Sequence, residues 1–220
     1  MLSTTTRTAT AAVSIALAVT ACDLSRTDKA AGASEESHPR AKADEYKRNP
    51  SPKQRYDITM TIADAPGPFE SVQWYADYEA PNCLFILDRF AGVTSRPSYR
   101  MPVHFRKVDG STYVGAVHLD AMLDDDYFGD GVCHWKLGAV SIYLKATGTA
   151  AETNFLAGMG LDEVLEQKAV TAYSMKQSYP QDQTIEGFSE FGERDRSKFA
   201  PYITGNDLFT ITLTPKEVRP

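Results

Sequence analysis

Met101-Pro102-Val103-His104-Phe105-Arg106-Lys107-Val108, then Asp109-Gly110, then Thr112-Tyr113-Val114-Gly115-Ala116-Val117-His118-Leu119 decide the fold class. In the first segment Val103 and Phe105 alternate with His104 and Arg106. In the second, Tyr113, Gly115 and Val117 oppose Val114, Ala116 and His118. Successive side chains of an extended chain point to opposite faces, so this alternation marks half-buried strands. Asp-Gly between two such segments is the strongest short-range hairpin signal in a sequence. The expected unit is an antiparallel hairpin, Met101–Val108 against Thr112–Leu119.

The same period of two extends in both directions. Tyr56 to Ile62 alternates cleanly, Ala65-Pro66-Gly67-Pro68 is a turn, and Phe69 to Tyr78 reads as a strand with Val72 and Trp74 on one face. Glu79 to Asn82 breaks that strand. Leu84 to Phe90 is apolar enough for a buried strand or a short helix, and periodicity does not choose between them. Val132 to Lys145 is the longest strand candidate, and its apolar residues change face near Gly138, which suggests a bulge or bend. Cys133 and Trp135 are expected to share the inner face. Leu161 to Gln167 is the one plausible helix, with Leu161, Val164 and Leu165 on one side. Lys168 to Gln177 reads as a strand, Tyr179 to Pro201 as a long polar loop, and Leu208 to Leu213 as a closing strand ended by Pro215. About seven to nine short strands with little helix predict a mostly β domain over 54–220. Its expected form is a two-sheet antiparallel β-sandwich, chosen over a barrel, with one short helix.

Ahead of this domain the composition changes twice. Arg7 is followed by an uncharged run from Thr8 to Ala21, rich in Ala, Val, Ile and Leu. That run fits a signal peptide over 1–21 and is short of the roughly 20 apolar residues that a spanning helix needs. Val19-Thr20-Ala21-Cys22 resembles a bacterial lipobox, which implies cleavage before Cys22 and lipidation of its sulfur. An ordinary signal peptide cut nearby is the alternative. Asp23 resembles an inner-membrane retention signal, but the rule varies among bacteria, so an anchor in the inner or the outer membrane of a Gram-negative periplasm stays open. Residues 22–53 hold few large apolar side chains, Leu24 and Tyr46 among them, and read as a disordered linker. From Cys22 onward 22 basic side chains face 29 acidic ones, a balance of −7. An acidic chain has no electrostatic footprint for nucleic acid or for an anionic bilayer, so the membrane is expected to be met through the lipid alone.

With Cys22 lipidated, Cys83 and Cys133 remain as an even pair in an oxidising compartment, and a disulfide between them is the natural reading. The other reading is two separate buried thiols. The bridge would close about 50 residues, worth about 3–4 kcal/mol on loop-entropy grounds. Neither Cys belongs to a C-x-x-C pair, which argues against a metal site.

The chemistry-bearing clusters are few. Asp120, Asp124, Asp125, Asp126 and Asp130 crowd one loop with Gly129 and Gly131, without the ligand spacing of an EF-hand. Such a loop reads as a solvated turn, as a calcium loop, or as an acidic contact surface for a basic protein. His104, His118 and His134 lie on strands beside apolar residues, where outward-facing polar side chains are ordinary. There is no Gly-x-Ser-x-Gly elbow, no His-Glu-x-x-His and no P-loop. No catalytic residue, metal or cofactor is assigned, and the chain reads as a binding protein and not an enzyme.

Pro81-Asn82-Cys83 through Gly131-Val132-Cys133-His134-Trp135, taken with the lipobox and the general layout, resembles small periplasmic lipoproteins that act as immunity proteins. Those proteins counter antibacterial effectors of type IV or type VI secretion systems. The resemblance implies binding and neutralising a secreted effector, with loops 120–131 and 179–201 as contact surfaces. Asp124, Asp125, Asp126 and Asp130 would steer a basic partner, while Tyr127, Phe128 and Phe188 would supply affinity. A structural or assembly lipoprotein of the envelope or of a secretion system is the runner-up.

Overall fold

Every second residue of the strand Arg55–Ala63 (β1) is buried, through Tyr56, Ile58, Met60 and Ile62. That alternation organises the whole domain. The computed structural model describes residues 45–88 and 90–219. The expected signal peptide over 1–21, the expected lipidation site Cys22 and the expected linker up to residue 44 lie outside them.

Two five-stranded sheets face each other. In the first, Val170–Met175 (β10), Leu208–Val218 (β12), β1, Thr112–His118 (β7) and Phe105–Lys107 (β6) lie side by side in that order. In the second the order is Ser189–Phe191 (β11), Asn154–Gly160 (β9), Lys136–Lys145 (β8), Ser71–Glu79 (β2) and Ser98–Pro102 (β5). Their pairings are antiparallel except β11 on β9, which is parallel. Phe85–Asp88 (β3) and Val93–Ser95 (β4) form a separate two-stranded ribbon. One short helix, Leu161–Leu165 (α1), follows β9. The expected β-sandwich, its short helix and the Cys83–Cys133 disulfide are all present.

Between the sheets the core is built from matched register. Trp74, Ile142 and Ala157 lie across one another on the inner face of the second sheet, as do Ala76, Val140 and Met159. Trp74 is the indole at the centre, stacked on Phe105 at 5.6 Å between centroids. Gly115 is the residue opposite it, and a Cβ there would lie 2.8 Å from the Trp74 ring. At the far end Phe155 packs edge-on against Phe69 and Phe209, with centroids 5.7 and 5.1 Å away.

Several expectations need correction. Met101–Val108 is not one strand. Met101 pairs with β2 in the second sheet and Phe105 with Gly115 in the first, so the chain changes sheets at Val103-His104. The Val103 N–H donates to the Trp74 carbonyl at 2.9 Å, and Pro102 has no N–H to lose at the corner. The hairpin survives as β6–β7, its turn pinned by Asp109, whose Oδ1 accepts from the Ser111 and Thr112 N–H groups at 2.8 Å. Pro215 does not end β12, which runs on to Val218 with Pro215 opposite Ile58. β10 reaches only as far as Leu213, so the proline interrupts no ladder on that side. Val132–Lys145 pairs as a strand only from Lys136. The bend does fall at Gly138, the extra residue where Asp77 pairs with Ala139 and Tyr78 with Leu137. Helix α1 closes at Leu165, two residues earlier than read.

Gly115 generates a stability prediction. Replacing it by Val drives a branched side chain into a rigid, buried indole, and overpacking of this kind costs about 1–3 kcal/mol. Gly115→Val is expected to lower the unfolding free energy by that amount, read as a lower urea midpoint with the slope unchanged.

Candidate binding surface

The end of the sandwich where β2 stops and β8 begins carries the candidate surface. Cys83 and Cys133 join there, with Cα atoms 5.5 Å apart. Asn82 braces the bond from both sides, since its Nδ2 donates to the Val132 carbonyl and its Oδ1 accepts the His134 N–H, each at 2.8 Å. The disulfide therefore ties the start of the β3–β4 ribbon to the end of the acidic loop.

Most of the loop's carboxylates are committed inward. Asp124 accepts the Trp135 N–H at 2.8 Å and meets His134 Nδ1 at 2.7 Å. Asp125 pairs with Lys47, and its carbonyl accepts the Cys133 N–H at 2.9 Å. Asp126 closes a turn by accepting the Phe128 and Gly129 N–H groups at 3.3 and 2.7 Å. Asp130 is exposed. The aromatics of the loop are structural as well. Tyr127 donates to the Leu123 carbonyl at 2.6 Å and stands edge-on to Tyr46, while Phe128 stacks on Phe85 at 5.6 Å.

What these groups hold is the incoming chain. Residues 45–53, the last stretch read as linker, are docked on the domain. Tyr46 is buried against Tyr127 and Trp135, at 5.3 and 4.9 Å between centroids. Lys47 and Asn49 exchange backbone hydrogen bonds with Leu123 and Ala121. Asp120 accepts the Lys53 and Gln54 N–H groups at 2.8 and 3.0 Å. Cys133 is fully buried and Trp135 is partly buried against the core, as expected of residues on one inner face, and Trp135 packs there on Tyr46 of the N-terminal segment. Partial burial alone would raise the Asp120 carboxyl, but the two donated N–H groups outweigh it and hold the pKa below the ordinary carboxylate value.

The exposed apolar side chains concentrate at this same end. Leu84, Ile86, Leu87 and Val93 are roughly half exposed and Phe90 fully so, with Leu123 and Val132 nearby on the acidic loop. Leu84–Phe90 is therefore neither a buried strand nor a helix. Among the described residues its strand Phe85–Asp88 pairs with Val93–Ser95 alone, and Phe85 stacks on Phe128. The sequence reading missed this surface. Its signal was an apolar run beside a cysteine with no second run long enough to cover it.

The remaining candidates are not gathered here. The Phe188 carbonyl accepts the Asn154 N–H at 2.7 Å, near the opposite end of β8 from Lys136, so it does not share a face with Asp124–Asp130. His104 lies beside Arg55, Asp57 and Arg106 in a shallow surface depression, His118 pairs across from Arg55, and His134 is held by Asp124. Among the described residues no three His, Cys, Asp or Glu side chains are grouped to hold a metal ion. No protein-family model, curated protein or solved structure matches the chain.

Asp120 offers a test of the docked segment. Hydrogen bonds to a charged acceptor are worth about 1.5–3 kcal/mol, so Asp120→Asn should lower unfolding free energy measurably at neutral pH. Because the folded pKa lies below the unfolded one, this stability is present above the unfolded carboxylate value. The difference between variant and parent should shrink as pH falls through the lowered pKa, which urea titrations from pH 7 downward will show.

Proposed function

We propose that the chain is a lipid-anchored periplasmic protein that binds and neutralises a secreted antibacterial effector. The observation that carries this reading is the exposed apolar ribbon Leu84–Val93, pinned by a disulfide beside a loop of aspartates. Contiguous apolar side chains on a water-soluble domain mark interaction sites. A ribbon held by a covalent bond and an aromatic stack is ordered before its partner arrives, which lowers the entropic cost of association. Asp126 and Asp130 at its flank favour a partner with a basic rim and speed the encounter. On this reading Phe90, Ile86 and Leu87 supply affinity, and the earlier candidates Asp124, Asp125, Tyr127 and Phe128 hold the ribbon and the N-terminal segment in place. Phe188 has no part in this surface.

The lipobox reading, Val19-Thr20-Ala21-Cys22, places the domain on a membrane in the compartment where its disulfide forms. Labelled palmitate should enter the full-length chain and not its Cys22→Ser variant. Cells lacking the gene should be killed by attackers that deliver the cognate effector, encoded beside it, and expression of the chain should restore survival. Unchanged survival with and without the gene, together with stable capture of a resident envelope subunit, would favour the assembly lipoprotein.

A further inference from the structure

The open side of the sandwich is closed by a strap. Residues 189–191 pair in parallel with β9 of the second sheet. Two residues on, Glu193 bridges to β10 of the first sheet, where its N–H and carbonyl bond to Tyr173 at 2.9 and 2.8 Å. The strap thus occupies edges of both sheets. Gly192 makes this possible, because a Cβ there would lie 2.7 Å from the Ala172 Cβ.

Between these anchor points the strap turns a carboxylate inward. Glu190 stands in register with Phe155 and is buried, 9% exposed. Its Oε1 accepts the Met175 N–H of β10 at 2.6 Å. Its Oε2, and the hydroxyl of the fully buried Ser174 on β10, are enclosed without a hydrogen-bond partner. A comparison inside the same molecule shows how unusual this is. Glu152 is as shielded from solvent, yet its two oxygens accept from the Thr147 hydroxyl, the Thr147 N–H and the Gly148 N–H, and its pKa is held down at about 2. Those bonds outweigh the burial.

For Glu190 the balance runs the other way. Burial raises its pKa, the like charge of Asp182 adds to this, and the Met175 N–H only partly offsets it. The charged groups of the strap itself point elsewhere, Glu193 to Lys198 and Arg194 to Glu163.

The geometry points to a proton-operated latch. With the Glu190 carboxyl neutral, the strap Ser189–Glu193 stays closed over β9 and β10; loss of the proton loosens it and uncovers both sheet edges. A buried acid that must ionise favours the open form, where water reaches it. The opening constant should rise by up to tenfold per pH unit between the ordinary carboxylate value and the raised one, then level off. This inference does not depend on the lipoprotein reading.

Amide hydrogen exchange on the full chain, corrected for intrinsic rates, tests it from about pH 4, at the ordinary carboxylate value, up to pH 8. Protection of the Gly192, Glu193 and Tyr173 amides should fall with pH relative to the Met60 amide in the core. Glu190→Gln should hold these amides at high protection with no slope. Protection that is flat in the parent, or a slope that persists in E190Q, overturns the latch. Carboxyl carbon-13 titration of the parent stands independent of the variant's folding. A Glu190 signal moving above the ordinary carboxylate range supports the latch, and one moving within or below it overturns the latch.

Discussion

The bond between Cys83 and Cys133 is the constraint on which the candidate surface depends. It joins two segments that the sheets alone would leave loose: the ribbon after β2 and the acidic loop before β8. Neither adds a strand to the sandwich, and the two-stranded ribbon would be marginal by itself. A closed loop of 50 residues restricts the unfolded chain. The Asn82 side chain and the Phe85–Phe128 stack then fix the direction in which the ribbon leaves the domain. The ribbon at this end is thus held by cross-links to a loop that itself packs on the core through Ala121 and Met122.

Elsewhere the exposed edges are blunted, as natural sheets require. Pro97 and Pro102 flank β5, Arg194 caps the free Gly158 carbonyl of β9 at 2.7 Å, and Glu193 covers β10. Leu84, Ile86, Leu87 and Val93 instead stand roughly half exposed on a ribbon outside both sheets, and the proposed function takes that surface for contact. The N-terminal segment arrives at the same end, with Tyr46 wedged between Tyr127 and Trp135. The acidic loop is consequently a clamp on its inner side and a charged rim on its outer side.

Much of the fold was legible because it rests on local alternation. Tyr56–Ile62, Thr112–His118 and the change of face at Gly138 each report which residues face a core, and a period of two leaves little freedom. Sheet membership was not legible. Met101 and Phe105 obey one alternating pattern while belonging to different sheets, because the pattern records burial and not partner. Pro215 was misread for a similar reason, since its tolerance depends on β10 stopping opposite Leu213, two residues short of it. The paired cysteines were readable from their even number once Cys22 is set aside and from the oxidising compartment expected for them. The ribbon was not, because an apolar run predicts burial by default, and its exposure shows only when nothing folds over it. The acidic loop drew attention by composition, yet hydrogen bonding decides its roles, and Asp124, Asp125 and Asp126 are largely occupied with neighbouring backbone and Lys47.

The most direct measurement pairs urea unfolding with survival under effector attack for Ile86→Asp and Leu87→Asp. Exposed positions away from packed contacts usually shift stability by less than about 0.5 kcal/mol. The account predicts unfolding midpoints close to the parent's and loss of protection by tenfold or more. Full protection by both variants, or a collapse of folding in either, would contradict the claim that this ribbon is a binding surface held ready outside the core.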